Sequence, residues 1–174
     1  VQTCALPISE IWHMSSSDVS LRRAVPTAYG LLDAPRPVNE HGVTHNYGGI
    51  AIIHAHCFSA RVMAPPLRPH SFELLLCHLG AAACKFVLVA IYRPSSTNVT
   101  DVFFEEFTTL LEAISTYRSE LVIVGDFNIY MDDLQDVTVL RFCELLDAFG
   151  LVQHVRGSKH TRGHTLDLVI DTRH

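Results

Sequence analysis

Leu121-Val-Ile-Val-Gly-Asp-Phe-Asn-Ile129 carries four branched apolar residues straight into Gly125, Asp126, Phe127 and Asn128. A run of this kind suits a strand covered on both faces, and in layered α/β folds the polar residues just past the carboxyl end of such a strand face the ligand crevice. Asp126 and Asn128 stand two apart, so both can point the same way. A carboxylate beside a carboxamide can take a proton from water, hold a hard cation and hydrogen-bond a phosphate oxygen. An Asx turn capping a core strand accounts for the same four residues equally well. The surrounding sequence has to separate the two readings.

On either side of this stretch the periodicity changes to that of helices. From Asp101 to Tyr117, Phe103, Phe107, Leu110, Ile114 and Tyr117 recur every three or four residues, which predicts a helix with one core-facing stripe. Glu105, Glu106 and Glu112 fall off that stripe and read as a solvated face. A second amphipathic helix is expected over 137–149, closed by Gly150 in the position favoured for a left-handed cap. Upstream, Ser71–His78 and Lys85–Tyr92 are apolar runs joined by Gly80-Ala-Ala-Ala-Cys84, a long hairpin. Pro94 stops its second strand, so Tyr92 and Arg93 emerge at a strand end. Ile50–Ala55 reads as a central strand preceded by Gly48 and Gly49, which permit a tight turn or a close backbone approach. Pro26 and Gly30 read as breakers, and the prolines and glycines from Pro35 to Gly49 as a long loop. Leu151–Val155 is a short strand. After the basic turn Lys159-His-Thr-Arg-Gly-His164 comes a last strand, Thr165–Ile170, in which Leu166, Leu168 and Ile170 share one face and Asp167 takes the other.

The 174 residues fit one domain, long enough to bury roughly two thirds of the unfolded surface. Mean hydropathy is +0.23, yet no apolar run approaches the roughly 20 residues that span a bilayer, so no membrane segment is expected. A formal net charge of −5 argues against a nucleic-acid coat built on a basic surface, while leaving room for a local patch that grips a backbone. Five cysteines without Cys-x-x-Cys or zinc-ligand spacing are expected as reduced, buried thiols, and the eleven histidines show no metal-binding grouping. Asn98-Val-Thr100 matches a glycosylation acceptor, but nothing else suggests secretion.

Five segments, Ser9-Glu-Ile-Trp12, Gly48-Gly-Ile-Ala-Ile-Ile53, Ile91-Tyr-Arg-Pro94, Val124-Gly-Asp-Phe-Asn128 and His160-Thr-Arg-Gly-His-Thr-Leu-Asp-Leu-Val169, resemble in content and order the endonuclease/exonuclease/phosphatase superfamily. Within it the chain is most similar to the apurinic-type endonuclease domain of non-long-terminal-repeat retrotransposons. The resemblance covers everything from Ser9 onward and implies a four-layer α/β sandwich, two packed mixed β-sheets flanked by helices. It implies a metal-dependent endonuclease that nicks target DNA to prime reverse transcription, with Mg²⁺ (or Mn²⁺ in its place) as cofactor, DNA as partner and a reverse transcriptase domain downstream.

Carried over by position, the resemblance makes Glu10 a Mg²⁺ ligand and puts Tyr92 on the scissile phosphate. Asp126 would orient or deprotonate the attacking water, and Asn128 would hydrogen-bond the phosphate oxygens. Asp167 would orient a histidine further along the family's chain. Arg93, Lys159, Thr161 and Arg162 are expected to contact DNA, because a net acidic protein needs its few cations near the substrate path. The family's first-strand asparagine and its Ser-Asp-His motif have no counterpart in this sequence. Residues 1–8 resemble a translated sequencing adapter, so the expected division is an artefact over 1–8 and a partial domain over 9–174, impaired in activity and incomplete at both ends. Two other readings stay open. One is a phosphodiesterase or phosphatase of the same fold acting on repair sites, inositol phosphates or lipids, and the other is a catalytically dead remnant that only binds.

Overall fold

The computed structural model describes residues 5–9, 19–34, 48–82, 84–95, 99–155 and 167–172. The run Glu120–Asp126 forms strand β7, flanked on one side by the parallel strand β6 (Cys84–Tyr92) and on the other by the antiparallel β9 (Asp167–Thr172). Adding β4 (Ser59–Val62), β5 (Glu73–Ala81) and β8 (Leu151–Gln153) gives a six-stranded mixed sheet in the order β4-β5-β6-β7-β9-β8. A smaller sheet of order β1-β3-β2 comprises β1 (Ala5–Ser9), β3 (Ile50–Ala55) and β2 (Tyr29–Ala34). Its pairings are antiparallel throughout, where mixed pairing was expected.

Helices α2 (Asp101–Ser115) and α3 (Val137–Ala148) cover one face of the large sheet, and the small sheet covers the other. The short helix α1 (Val19–Ala24) falls between β1 and β2 in the chain. This is the α/β sandwich that the sequence predicts. Among the described residues, no helix is long and apolar enough to cross a membrane.

Strand alternation divides the core in two. Val87, Val89, Ile91, Leu121, Ile123, Leu168 and Ile170 face the helices, where Phe103, Phe107, Phe127 and Phe142 gather with ring centroids 5.4–6.5 Å apart. Such aromatic contacts add to the area term, each by about 0.5–1.5 kcal/mol. Leu75, Cys77, Leu88, Ala90, Tyr92 and Val124 point the other way and meet Ile50 and Ile52 of the small sheet. Both faces of β6 and β7 are thus covered over most of their length, which is why their sequences are apolar without alternation.

Several expectations need correction. Gly30 does not break regular structure but lies in β2 opposite His54, whose imidazole fills the space a side chain would occupy; a Cβ there would come within 2.6 Å of His54 Nε2. Residues 29–34 are therefore a strand, and 59–62 are another, on the edge of the large sheet. Ala5–Ser9 form β1 and pair with β3 from Ala5↔His54 to Ser9↔Ile50. The cysteines are not uniformly buried. Cys57 and Cys84 are exposed and Cys77 is buried, its thiol pushed up to about 11 by desolvation.

Glu106 also departs from the solvated face read for it. Its carboxylate accepts hydrogen bonds from the backbone N–H groups of His70 and Ser71 (both 2.9 Å) and from the Ser71 hydroxyl (2.6 Å), fastening the segment before β5 to α2. Desolvation works against the charge, but these hydrogen bonds outweigh it, and the carboxyl lies below its ordinary value of 4.5. A carboxylate whose folded pKa is depressed contributes stability above its unfolded pKa and loses it as pH falls through the folded value. Glu106→Ala is expected to lower unfolding stability by about 1–2 kcal/mol at neutral pH. Denaturant midpoints measured against pH should show the gap between the two proteins closing below pH 4.5.

Candidate functional site

Pairing register brings the candidate residues together. Tyr92 of β6 stands opposite Asp126 of β7, and Asp126 stands opposite Asp167 of β9. Residues directly opposite across a ladder share a face, so Tyr92, Asp126 and Asp167 form one transverse row at the carboxyl ends of β6 and β7. Glu73 extends it, since it pairs with Tyr92 on the other side. The row lies on the face turned toward the small sheet, as the burial of Tyr92 against Ile50 and Ile52 shows.

Each residue of Gly-Asp-Phe-Asn has a separate task. Gly125 has φ +146°, and a Cβ there would lie 1.8 Å from the carbonyl oxygen of Ile91, so only glycine lets β7 approach β6 this closely. Asp126 sits on the inner face, while Phe127 turns to the outer face and is fully buried among Phe107 and Phe142. Asn128 takes the left-handed conformation, φ +49°, which asparagine tolerates better than most residues. Its backbone N–H donates to Asp126 Oδ1 at 2.9 Å, the Asx turn, and its Nδ2 donates to the Arg93 carbonyl at 2.6 Å. The turn and the juxtaposition of acid and amide therefore coexist. One N–H of the Asn128 amide is used on Arg93, and an amide nitrogen carries two.

Arg93 is placed differently from the expected phosphate contact. It is 3% exposed, and its guanidinium runs beneath the loop: Nε donates to the Phe127 carbonyl at 2.6 Å and Nη2 to the Asn128 carbonyl at 2.7 Å. Its own N–H donates to the Asp126 carbonyl at 2.9 Å, carrying the β6–β7 pairing one step further. Burial lowers the Arg93 pKa and the Asp126 charge opposes that shift. Arginine nevertheless stays protonated in proteins, so this is a fixed buried cation.

Tyr92 is likewise 3% exposed, its ring lodged between the sheets. Asp167 is exposed: among the described residues the small sheet lies mainly over β5, β6 and β7, and Val169 beside it on β9 is 39% exposed. Asp126 and Asp167 thus stand opposite one another in register, and Asp126 also acts electrostatically on the buried Arg93. Glu10, Lys159, Thr161 and Arg162 lie outside the described residues. Among the described residues, no three His, Cys, Asp or Glu side chains converge as a metal-binding group. Oxygen donors are nonetheless the type Mg²⁺ takes, and it needs only one or two from the protein beside substrate and water.

Glu73 escapes the sequence reading. Its Oε2 accepts the Gly49 N–H at 2.6 Å, tying the glycine pair before β3 to the row, and Gly48 and Gly49 both have positive φ. An acid heading an otherwise apolar strand is the signal that could have exposed it. Two cavities open nearby. One of about 280 Å³ is bordered by Arg93, Ser95, Asn128, Tyr130, Asp136 and Thr138. A larger one of about 470 Å³, bordered by Ile50, Leu67, Arg68, His70, Glu73 and Pro94, touches the row only at Glu73.

No protein-family model matches the chain, and no curated protein matches it in sequence. Solved structures do match. AP endonuclease LMAP from Leishmania major superimposes with a TM-score of 0.68 at 14% identity, over 97% of this chain and 69% of that one. The chain has the endonuclease/exonuclease/phosphatase fold. D. rerio TDP2 complexed with single-strand DNA product gives a TM-score of 0.66 at 13% identity, over 97% of this chain and 70% of that one. The endonuclease domain of TRAS1, a telomere-specific non-LTR retrotransposon, gives 0.62 at 14%, over 84% and 66%. At these identities the likeness is one of fold, and this chain spans only 66–70% of those three chains.

The close approach of β7 to β6 underlies the whole row, so Gly125→Ala is expected to destabilise the domain by about 2–4 kcal/mol through backbone strain and the forced displacement of Ile91. A thermal melt indistinguishable from that of the parent would contradict this packing.

Proposed function

We propose that this chain is a metal-dependent phosphodiesterase of the nuclease type, acting on DNA as the endonuclease domain of a non-LTR retrotransposon. The observation that carries the reading is the register Tyr92↔Asp126↔Asp167, with Asn128 held against Asp126 by the Asx turn. A carboxylate, a carboxamide and a phenol at one edge of a sandwich are groups suited to aligning water, hydrogen-bonding phosphate oxygens and marking where the phosphate sits. Glu10 is assigned as the ligand of Mg²⁺. That cation, when bound, would neutralise the leaving oxygen.

In this reading Asp126 orients and deprotonates the attacking water, Asn128 donates its remaining amide N–H to a phosphate oxygen, and Tyr92 borders the phosphate. Asp167 would orient the histidine that lies further along the family's chain, while Lys159, Thr161 and Arg162 contact the DNA backbone. The match to AP endonuclease LMAP, to TDP2 with its DNA product and to the TRAS1 domain supports DNA as the substrate class. Tyr92-Arg-Pro94 and Gly125-Asp-Phe-Asn128 support the retrotransposon branch and, with it, a reverse transcriptase domain as partner.

Relaxation of supercoiled plasmid by the purified chain in Mg²⁺ tests the reading. Feeble nicking is expected, abolished by chelator and lost in Asp126→Ala. Nicking that persists in Asp126→Ala would place the chemistry elsewhere, and cleavage only of non-nucleic-acid phosphate esters would favour the phosphatase reading.

A further inference from the structure

Arg93 is almost wholly buried, its guanidinium fork donates to loop carbonyls, and the Asp126 charge acts on it as well. Nε and Nη2 donate to the carbonyls of Phe127 and Asn128, two consecutive residues, at 2.6 and 2.7 Å. Nη1 lies 3.4 Å from the Pro94 carbonyl, and the guanidinium carbon stands 6.0 Å from the centre of the Phe103 ring. From the opposite direction, the Arg93 carbonyl accepts the Asn128 side-chain amide and the Arg93 N–H donates to the Asp126 carbonyl. One residue thus binds the backbone of 126, 127 and 128 and fixes the amide of Asn128. That backbone includes a non-glycine residue at positive φ, which persists only where its surroundings hold it.

We propose that Arg93 is a positioning residue of the candidate site, whose guanidinium fork holds the Asp126–Asn128 loop in its working geometry. The inference rests on reading Asp126 and Asn128 as the working pair. Carbonyls at this loop have no helix or ladder to satisfy them, and a planar donor with two parallel N–H groups spans adjacent carbonyls as an ammonium cannot. Lysine preserves charge and most of the stem but loses the fork, so it separates geometry from electrostatics.

The experiment compares the parent chain with Arg93→Lys and Arg93→Ala, after melts establish that each is folded. Amide hydrogen exchange at Asn128, whose N–H is tied to Asp126 Oδ1, reads the loop directly without any assay of activity. Arg93→Lys is expected to speed exchange at Asn128 by about tenfold or more while leaving β6 and β7 protected. In plasmid nicking it should lower kcat by about tenfold with KM nearly unchanged, the pattern of a misplaced catalytic group. Guanidinium chloride at non-denaturing concentration should restore Asn128 protection and part of the rate to Arg93→Ala and do nothing for the parent. Unchanged exchange at Asn128 in folded Arg93→Lys would overturn the proposal. So would a raised KM with unchanged kcat and a shallower salt dependence, the signature of a phosphate contact. If the parent itself nicks no DNA, the functional reading fails, and the exchange measurement still decides the role of Arg93.

Discussion

Parallel pairing of β6 with β7 is the constraint on which the rest of this molecule depends. It sets Tyr92 beside Asp126, and it does so only because Gly125 lets the Ile91 carbonyl come where a Cβ would be. Once β7 is fixed in that register, the antiparallel β9 places Asp167 on the same line, and Glu73 arrives from the opposite side through β5. A slip of one residue in any pair would send its side chain to the helical face. Apolar packing guards against such a slip: the outward residues of β6 and β7 lie under the phenylalanine cluster, and the inward ones meet Ile50 and Ile52.

Packing and polar geometry are joined at Phe127. Its ring is sunk among Phe107 and Phe142, so the loop carrying Asp126 and Asn128 is anchored from below by apolar contact. The Arg93 fork and the Asx turn then fix its backbone and amide from the side. A site built this way owes little to flexible loop residues and much to two strand ends and one buried ring, the arrangement expected where reacting groups must be held to within a fraction of an ångström.

Most of this was legible in the sequence, for identifiable reasons. The apolar run of β7, the stripe of α2 and the hairpin of β5 and β6 each have one period and one burial solution, so pattern alone finds them. Gly-Asp-Phe-Asn announces a strand end with polar groups. Strand β2 was hidden because Gly30 looks like a breaker until His54 is known to lie across from it. The edge strand β4 is short and exposed, and its composition carries little signal. Arg93 reads as a DNA contact because sequence cannot show which carbonyls lie within reach of a guanidinium, and Glu106 reads as helix surface for the same reason.

The central claim is that the row Tyr92, Asp126 and Asp167 marks where cation and phosphate meet. Titration of the isotopically labelled chain with Mn²⁺, followed by paramagnetic broadening of backbone amides, tests it most directly. The claim predicts that signals of residues 92, 126 and 167 broaden first, ahead of those of the exposed acids Asp132, Asp133, Glu144 and Asp147 around α3. Broadening that begins at the α3 acids and spares the row would contradict it.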